Sequence, residues 1–441
     1  MKRILVRSGK SPYDILSAEA SLASNGWGAF GANSGNLLFQ MATFKTLSIP
    51  NTEVISDSLF LELGKINDEQ IERINAEFDM FVIPLANAFR ESFVKSLNNL
   101  TKIIKRLTIP VVVIGVGAQV KNNKDFSTIP DQVNEATREF VSAVLDRSSS
   151  IGVRGEITKG YLKNLGFSDS SIDIIGCPSL YMYGSNLQVK NNNTELNSQS
   201  QIAMNVTPSA TKSATLIAEA TNNYPNLTYI PQEHTDLAMM IWGDERGQPK
   251  DIQIPIHLQH PLYLQNRMRF FVDAIPWIDY LRQQQFSFGT RIHGNIAAIL
   301  AQTPALVITH DSRTLELVNH HAIPHRTIDS IDASTTIKEL YTAADYTEFN
   351  KRHPKAFEEY LNFLKRNDIE NIFESKYDNE QNKFDNFLTS LKFPPAVEVS
   401  RYSDNVIDDI YSKLRWLRQG MQADKNRKFA GAYIPDFLSF K

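Results

Sequence analysis

The chain has 441 residues, 42% hydrophobic and 22% charged, a globular composition with room for two or three domains that each bury a core. Its 46 Lys and Arg against 49 Asp and Glu leave a net charge of −3, without the basic excess of a dedicated nucleic-acid binder, so any anionic ligand must be held by a local cluster of cations. The single cysteine, Cys177, excludes an intrachain disulfide and a cysteine-built metal site.

Short apolar, β-branched runs alternate with stretches of helical period, the pattern of stacked βα units. Residues 3–7 read as the first strand, and the polar start of the chain lacks the apolar core of a signal peptide. A glycine-rich run follows, from Asn25-Gly26-Trp27-Gly28 to Asn33-Ser34-Gly35-Asn36. It opens onto a helix in which Leu37, Met41, Phe44 and Leu47 recur at helical spacing, with Asn36 placed to cap it. Further strands are predicted at 79–84, 110–115, near 149–153 and at 172–176. The longest apolar run, from Ile109 to Ala118, is about half the ~20 residues of a membrane helix. A cytoplasmic protein is expected, and the N-x-[ST] sequons at Asn99, Asn192, Asn205 and Asn226 read as chance.

The polar segment 184–201 is the candidate interdomain linker. A second βα series has predicted strands near 202–206, 227–231, 286–289 and 304–309, interrupted by an irregular stretch at 243–262 that contains Pro249, Pro255 and Pro261. After about residue 331 the texture turns to charged and aromatic helices. One stripe runs through Phe357, Tyr360, Leu361 and Leu364, another through Val406, Ile407, Ile410, Tyr411, Leu414 and Leu417. These helices either cover a domain or return to the first one. The expected architecture is α/β: two Rossmann-like, doubly wound domains, 1–184 and 185–330, facing each other across a cleft, with a helical C-terminal extension over 331–441.

The most informative stretch is Gly289-Thr290-Arg291-Ile292-His293-Gly294, where a strand runs into a helix. If residues 290–293 stay extended, Arg291 and His293 share one face at the carboxyl end of a parallel strand, where open α/β sheets bind ligands. Gly294 permits close approach, and the helix start behind it favours an anion. Taken singly, Arg291 reads as a surface arginine and His293 as a cap; together, in that context, they read as functional. Arg154, in Ile151-Gly152-Val153-Arg154-Gly155-Glu156, repeats the strand-to-helix junction, with an ordinary ion pair as the bland alternative. Ile114-Gly115-Val116-Gly117-Ala118-Gln119 is a weak dinucleotide-type loop, because Val120 occupies the place of its last glycine. His234 with Asp236 could face the cleft, although a satisfied loop histidine is the simpler account. Adjacent His320 and His321 make a poor metal pair, and no metal motif appears. Trp27, Trp242 and Trp277 are candidates either for stacking on a glycan or for packing.

These segments, together with Gly176-Cys177-Pro178-Ser179-Leu180 and Gly31-x-Asn33-x-Gly35-Asn36, resemble in order and spacing the polysaccharide pyruvyl transferases over roughly residues 25–320. The resemblance implies a fold like that of two-domain glycosyltransferases, and transfer of pyruvate from phosphoenolpyruvate to a sugar as a ketal, without a cofactor or metal. It implies His293 as general acid and Arg154 and Arg291 as the grip on phosphoenolpyruvate. Ile292, Gly294, Asn33, Gly35, Asn36, Gly117, Gln119 and His234 are further substrate-binding candidates. Family members often carry Asp where Asn36 stands, so an acid–base or acceptor-orienting role does not transfer to that position. The expected partner is a glycan or lipid-linked oligosaccharide acceptor; peripheral membrane contact and a homo-oligomer stay open. The alternatives are a sugar-nucleotide glycosyltransferase on the same architecture and a non-catalytic glycan-binding protein.

Overall fold

The computed structural model describes residues 1–23, 28–120, 125–190, 194–245 and 253–400, with residues 407, 408, 411 and 414. Trp27 and the Asn25–Gly26 part of the first loop, Asn192, Pro249, and Val406, Ile410 and Leu417 of the last stripe lie outside the described residues.

Two parallel sheets organise the chain. In the first, β1 (Lys2–Val6), β2 (Thr52–Ser56), β3 (Met80–Pro84) and β4 (Val111–Ile114) lie in the order β2-β1-β3-β4. β5 (Ile151–Val153) and β6 (Ile172–Ile174) form a parallel pair tied to the end of β4 by a bridge between Val116 and Val153. The second sheet contains β7 (Ile202–Asn205), β8 (Leu227–Tyr229), β9 (Phe286–Gly289), β10 (Ala305–Thr309) and β11 (His325–Thr327), in the order β11-β10-β9-β7-β8. Each sheet reverses its winding once, between β1 and β3 in the first and between β7 and β9 in the second. Such switch points open a crevice at the carboxyl ends of the strands.

The all-apolar predicted strands are present, buried on both faces as parallel strands under helices are. Two strands are additional. β2 is a five-residue edge strand with mixed burial, and β11, His-Arg-Thr, is fully exposed on the opposite sheet's edge. Neither carries the apolar run that marks an interior strand.

The helix Gly35–Leu47 lies between the sheets, and every residue in it except Asn36 is buried. Phe39, Phe44 and Leu47 pack with Ile4, Val6, Val82 and Val112 of the first sheet. Leu37, Leu38 and Met41 share a cluster with Ile202, Phe288, Ile292 and Ile296 of the second. A helix apolar all round is a core helix. Thr43 and Thr46 donate to the carbonyls of Phe39 and Ala42 within the helix (2.9 and 2.8 Å), and Lys45 reaches across the chain to bind Asp385.

The described parts of the segment 184–201 are packed rather than loose. Leu187, Val189 and Leu196 are buried, and the backbone of Val189 exchanges two 2.9 Å hydrogen bonds with the Asn350 side chain. Beyond 331, the helix Ile337–Thr342 packs into the second sheet's cluster, whereas the helix Thr347–Arg366 returns to the first sheet through Tyr360, Phe363 and Leu364. Tyr360 stacks on Tyr181 at 4.9 Å, and Asn367 Oδ1 accepts the backbone N–H groups of Ser149 and Ser150. Ile407, Tyr411 and Leu414 are exposed.

The end of β9 is the tightest place in the second sheet. Gly289 has φ of 144° and pairs with Asn205, whose backbone oxygen would lie 1.7 Å from a Cβ at that position. Gly289→Ala is expected to cost about 3 kcal/mol or more in urea unfolding, because backbone must move. Gly166, with φ of +98° but nothing within 4 Å of a Cβ, is the control, and its Ala variant should cost about 1 kcal/mol.

Candidate active site

The site forms where the carboxyl end of β9 meets the chain that follows β4 and β5. From β9 the chain passes through Thr290 and an extended Arg291 (φ −89°, ψ 108°) into the helix Ile292–Leu300. The helix therefore begins before His293, correcting the expectation of an extended run to 293: Arg291 is the N-cap residue, and His293 stands in the first helical turn. Asn205, at the end of β7, braces this turn. Its Oδ1 accepts from Arg291 N–H at 2.9 Å, and its amide exchanges hydrogen bonds with Asn295 at 3.2 and 3.3 Å. Gly294 serves protein packing, since a Cβ there would meet the side chains of Asn205 and Gln232, each at 2.7 Å. Ile292 is buried in the core, so its side chain is part of the packing and not of the cleft surface.

Arg291 makes an ion pair with Glu233, itself the N-cap of the helix His234–Trp242. The first loop docks on that same turn: Ser34 N–H donates to Gln232 O (2.9 Å), His234 N–H to Ala32 O (3.0 Å), and Asn33 Nδ2 to Glu233 at 3.5 Å. His234 thus opens a helix at the cleft instead of sitting in a loop. The N-cap position of the Gly35–Leu47 helix is Ser34, whose side chain makes no cap, so the cap expected of Asn36 is not formed; Asn33 Oδ1 accepts from Gly35 N–H at 2.9 Å in the turn before it. Asn36 donates instead to Phe30 O and Gly31 O at 3.0 and 3.2 Å. Gly35 lies against His293: a Cβ on it would sit 2.7 Å from His293 Cβ.

Arg154 reaches the same place from β5. Its Nε donates to Gly115 O at 3.0 Å, and Gly117 lets its stem pass, a Cβ there lying 2.9 Å from Arg154 Cδ. Arg154 Nη2 is buried with no hydrogen-bond partner among the described residues. A donor left in that state is costly unless a ligand meets it. Gln119 is not brought in: it is exposed, and its backbone N–H bonds Phe89 O. Trp277 is fully buried, which removes it as a stacking platform, and Trp242 is half-buried against the core.

The electrostatics follow from burial among cations. His293 is pushed down to about 3, first by desolvation and then by Arg154 and Arg291, so its imidazole is neutral at neutral pH. Its Nε2 lies 3.7 Å from Cys177 Sγ. Burial also lowers Arg154, while Cys177 and Glu316 favour its charged form. Glu316 is pushed up to about 7 by burial, although it accepts from Thr158 N–H (2.9 Å) and Oγ1 (2.7 Å). With Val120 N–H donating to Ser312 Oγ at 2.9 Å, these bonds latch the helix Ser312–His321 of the second half to the first.

Several contributors were not singled out in the sequence: Asn205, Glu233, Glu316, and a group after β10 and β3 made of His310, Asp311, Arg313 and Arg90. Arg313 pairs with Asp311, and His310 Nε2 lies 3.3 Å from Asp311. The Nε atoms of Arg90 and Arg313 are buried without partners among the described residues, and burial and Arg313 lower Arg90. The run His310-Asp311-Ser312-Arg313 follows a strand just as Arg291 does, and that position was its readable signal. Among the described residues no group of three or more His, Cys, Asp and Glu could hold a metal ion, and no helix is long and apolar enough to cross a membrane.

Comparisons with known proteins give one family. The family model described as polysaccharide pyruvyl transferase matches residues 50–312, a span that includes Arg154, Cys177, Arg291 and His293 and begins after the Asn33–Asn36 loop. No curated protein matches the sequence. Among solved structures, S. aureus MnaA with UDP is 14% identical, covers 83% of this chain and 96% of that chain, and has a TM-score of 0.41. The UDP-GlcNAc 2-epimerase of Neisseria meningitidis bound to UDP-GlcNAc is 10% identical, covering 89% and 100%, at 0.39. Anabaena HepE in complex with UDP and glucose is 13% identical, covering 89% and 100%, at 0.40. Scores this low say nothing of this chain's ligand or chemistry.

The buried histidine makes a pH prediction. With a folded pKa near 3 against about 6.5 unfolded, His293 binds protons more readily in the unfolded chain, so its contribution is complete above about 6.5 and is lost as pH falls. The stability of the wild type relative to His293→Gln should therefore shrink by about 2 kcal/mol between about pH 7 and pH 5 in urea titrations. A difference independent of pH would show that His293 ionises normally.

Proposed function

The chain belongs to the polysaccharide pyruvyl transferase family, and from that premise we propose that it transfers pyruvate from phosphoenolpyruvate to two hydroxyls of one sugar as a cyclic ketal. The observation that supports this reading is the convergence of Arg154, Arg291 and a neutral, buried His293 at the facing strand ends.

Phosphoenolpyruvate carries a carboxylate and a phosphate on one carbon of an enol. Protonation of its methylene makes that neighbouring carbon cationic. One sugar hydroxyl adds there and gives up its proton, phosphate leaves, and a second hydroxyl closes the ring and loses its proton. One proton is taken up at carbon, two leave the hydroxyls, and the remaining proton departs with phosphate. The step is redox-neutral and needs no cofactor. Arg154, with its unpartnered buried Nη2, and Arg291, which shares its guanidinium with Glu233, bind the two anionic groups as planar forks. His293 is the general acid. Without donor, burial and the arginines keep it neutral; a bound trianion cancels their field and favours the imidazolium, so the acid is charged when its substrate is present. Cys177, at 3.7 Å, is placed to hold the imidazole's orientation. The acceptor is a glycan or a lipid-linked precursor of one.

Incubation with phosphoenolpyruvate and candidate acceptors should release phosphate and add a pyruvate mass increment to the glycan. His293→Ala should lower kcat by roughly 10²–10⁴-fold while phosphoenolpyruvate still raises the melting temperature. Stabilisation by a nucleotide-sugar, with none by phosphoenolpyruvate, would reject this reading in favour of a glycosyltransferase.

A further inference from the structure

The donor occupies Arg154 and Arg291, and two further arginines at the seam, Arg90 and Arg313, stand together without a task. The backbone places them. The stretch 117–120 is held from both sides by alternate peptide groups. On one side Phe89 pairs with Ala118: Phe89 N–H donates to Gly117 O at 3.3 Å, and Gln119 N–H to Phe89 O at 3.1 Å. On the other, Ser312 Oγ donates to Ala118 O at 3.3 Å and accepts from Val120 N–H at 2.9 Å. Arg90 follows Phe89 and Arg313 follows Ser312, so the two arginines flank one short piece of chain.

Their donors are not used up by the fold. Arg90 has no ion pair and no side-chain hydrogen bond among the described residues; its guanidinium lies 6.0 Å from the Phe93 ring, and its Nε is buried. Arg3, Arg7 and Arg352, by contrast, each hold a carboxylate. Arg313 pairs with Asp311 on its own turn, but its Nε is also buried and unpaired. Asn87, three residues before Arg90, leaves both atoms of its amide in the same state. Donors kept so are costly in the free protein unless an incoming group meets them.

The pair lies apart from the acid. After desolvation, the cations that act on His293 are Arg154 and Arg291; Arg313 acts in turn on Arg154 and on Arg90. Along that row, Arg154 and His293 are 3 and 8% exposed, whereas Arg313 and Arg90 are half-buried and open to solvent. A small anion suits the deep end. An anionic group at the open end is one carried by a larger molecule, and two separated guanidinium forks match two phosphates in tandem.

We propose that Arg90 and Arg313 form a second anion site, beside the donor's, which binds the diphosphate that joins the acceptor sugar to its carrier. The sugar then lies towards His293 and the carrier towards solvent, and the protein acts on a diphosphate-linked sugar rather than on finished polysaccharide. The inference rests on the ketal-transfer reading for the role of the sugar, but diphosphate binding does not require the donor.

Calorimetry on the full chain tests it, with UDP and farnesyl diphosphate as probes and phosphoenolpyruvate at saturation to fill the donor site. At least one probe should bind. Arg90→Gln and Arg313→Gln should each weaken it roughly tenfold or more, with the phosphoenolpyruvate affinity held within about twofold. Because Arg90 has no partner to lose, Arg90→Gln should leave the urea midpoint unchanged or raised, which a structural arginine would not do. Tighter binding of farnesyl diphosphate than of UDP assigns a lipid carrier, the reverse a nucleotide one, and equal binding the diphosphate alone. Binding of neither probe, displacement of the probe by phosphoenolpyruvate, or undiminished binding in a folded Arg90→Gln variant overturns the proposal. So does a matching loss of phosphoenolpyruvate affinity in both variants, which returns the two arginines to the donor. Failure of the donor reading is seen separately, as absence of heat on phosphoenolpyruvate addition, and the probes are then titrated without it.

Discussion

Burial of the Gly35–Leu47 helix on all sides is the constraint on which the rest depends. A helix buried around nearly its whole circumference cannot be covered by either sheet alone, so it joins them. Its first residue must then lie at the seam, and a glycine is required there because His293 is already in contact. The same packing fixes where the first loop can go, and that loop's bonds to Gln232 and His234 close the seam on its other side. The functional groups are held by core packing rather than by flexible loops, which is the condition for keeping reacting groups in geometry.

A second consequence is electrostatic. The seam collects Arg154, Arg291, Arg90 and Arg313 in a chain that is nearly neutral as a whole, and sets against them Glu233, Asp311 and Glu316. Cations outnumber their partners at the buried atoms, with Arg154 Nη2 and the Nε atoms of Arg90 and Arg313 all unpaired among the described residues. Low local dielectric makes such an imbalance expensive in the empty protein and favourable once an anion arrives. Positive charge is thus concentrated at one seam of a chain whose net charge is −3.

Legibility divided along physical lines. Interior strands such as Val111–Ile114 were readable because both faces are buried and the run is uniformly apolar; β2 and the exposed β11 were not, because edge strands carry no such signature. Arg154, Arg291 and His293 were readable because charged residues directly after apolar strands are few. The helix starts before His293, contrary to the extended run expected to 293, and Asn205, a residue 88 positions earlier, holds its N-cap Arg291 by a hydrogen bond that no local pattern shows. Glu316 and Asn205 were hidden because their significance lies in partners brought by the fold: Thr158 for one, Arg291 and Asn295 for the other. Asn36 was expected to cap the helix, but Ser34 holds the N-cap position and Asn36 turns its amide to the Phe30 and Gly31 carbonyls, a choice that local spacing does not show.

The return of the Thr347–Arg366 helix to the first sheet has a consequence in time. Ile4, Val6 and Val82, made early, share one cluster with Tyr360, Phe363 and Leu364, made more than 250 residues later. Lys10 likewise waits for Asp273 and Lys45 for Asp385. A growing chain on the ribosome therefore carries an open apolar face on its first sheet until about four-fifths of the sequence has been synthesised, and contacts of such long sequence separation form slowly. The core of the half that is translated first thus waits for residues close to the other end of the sequence.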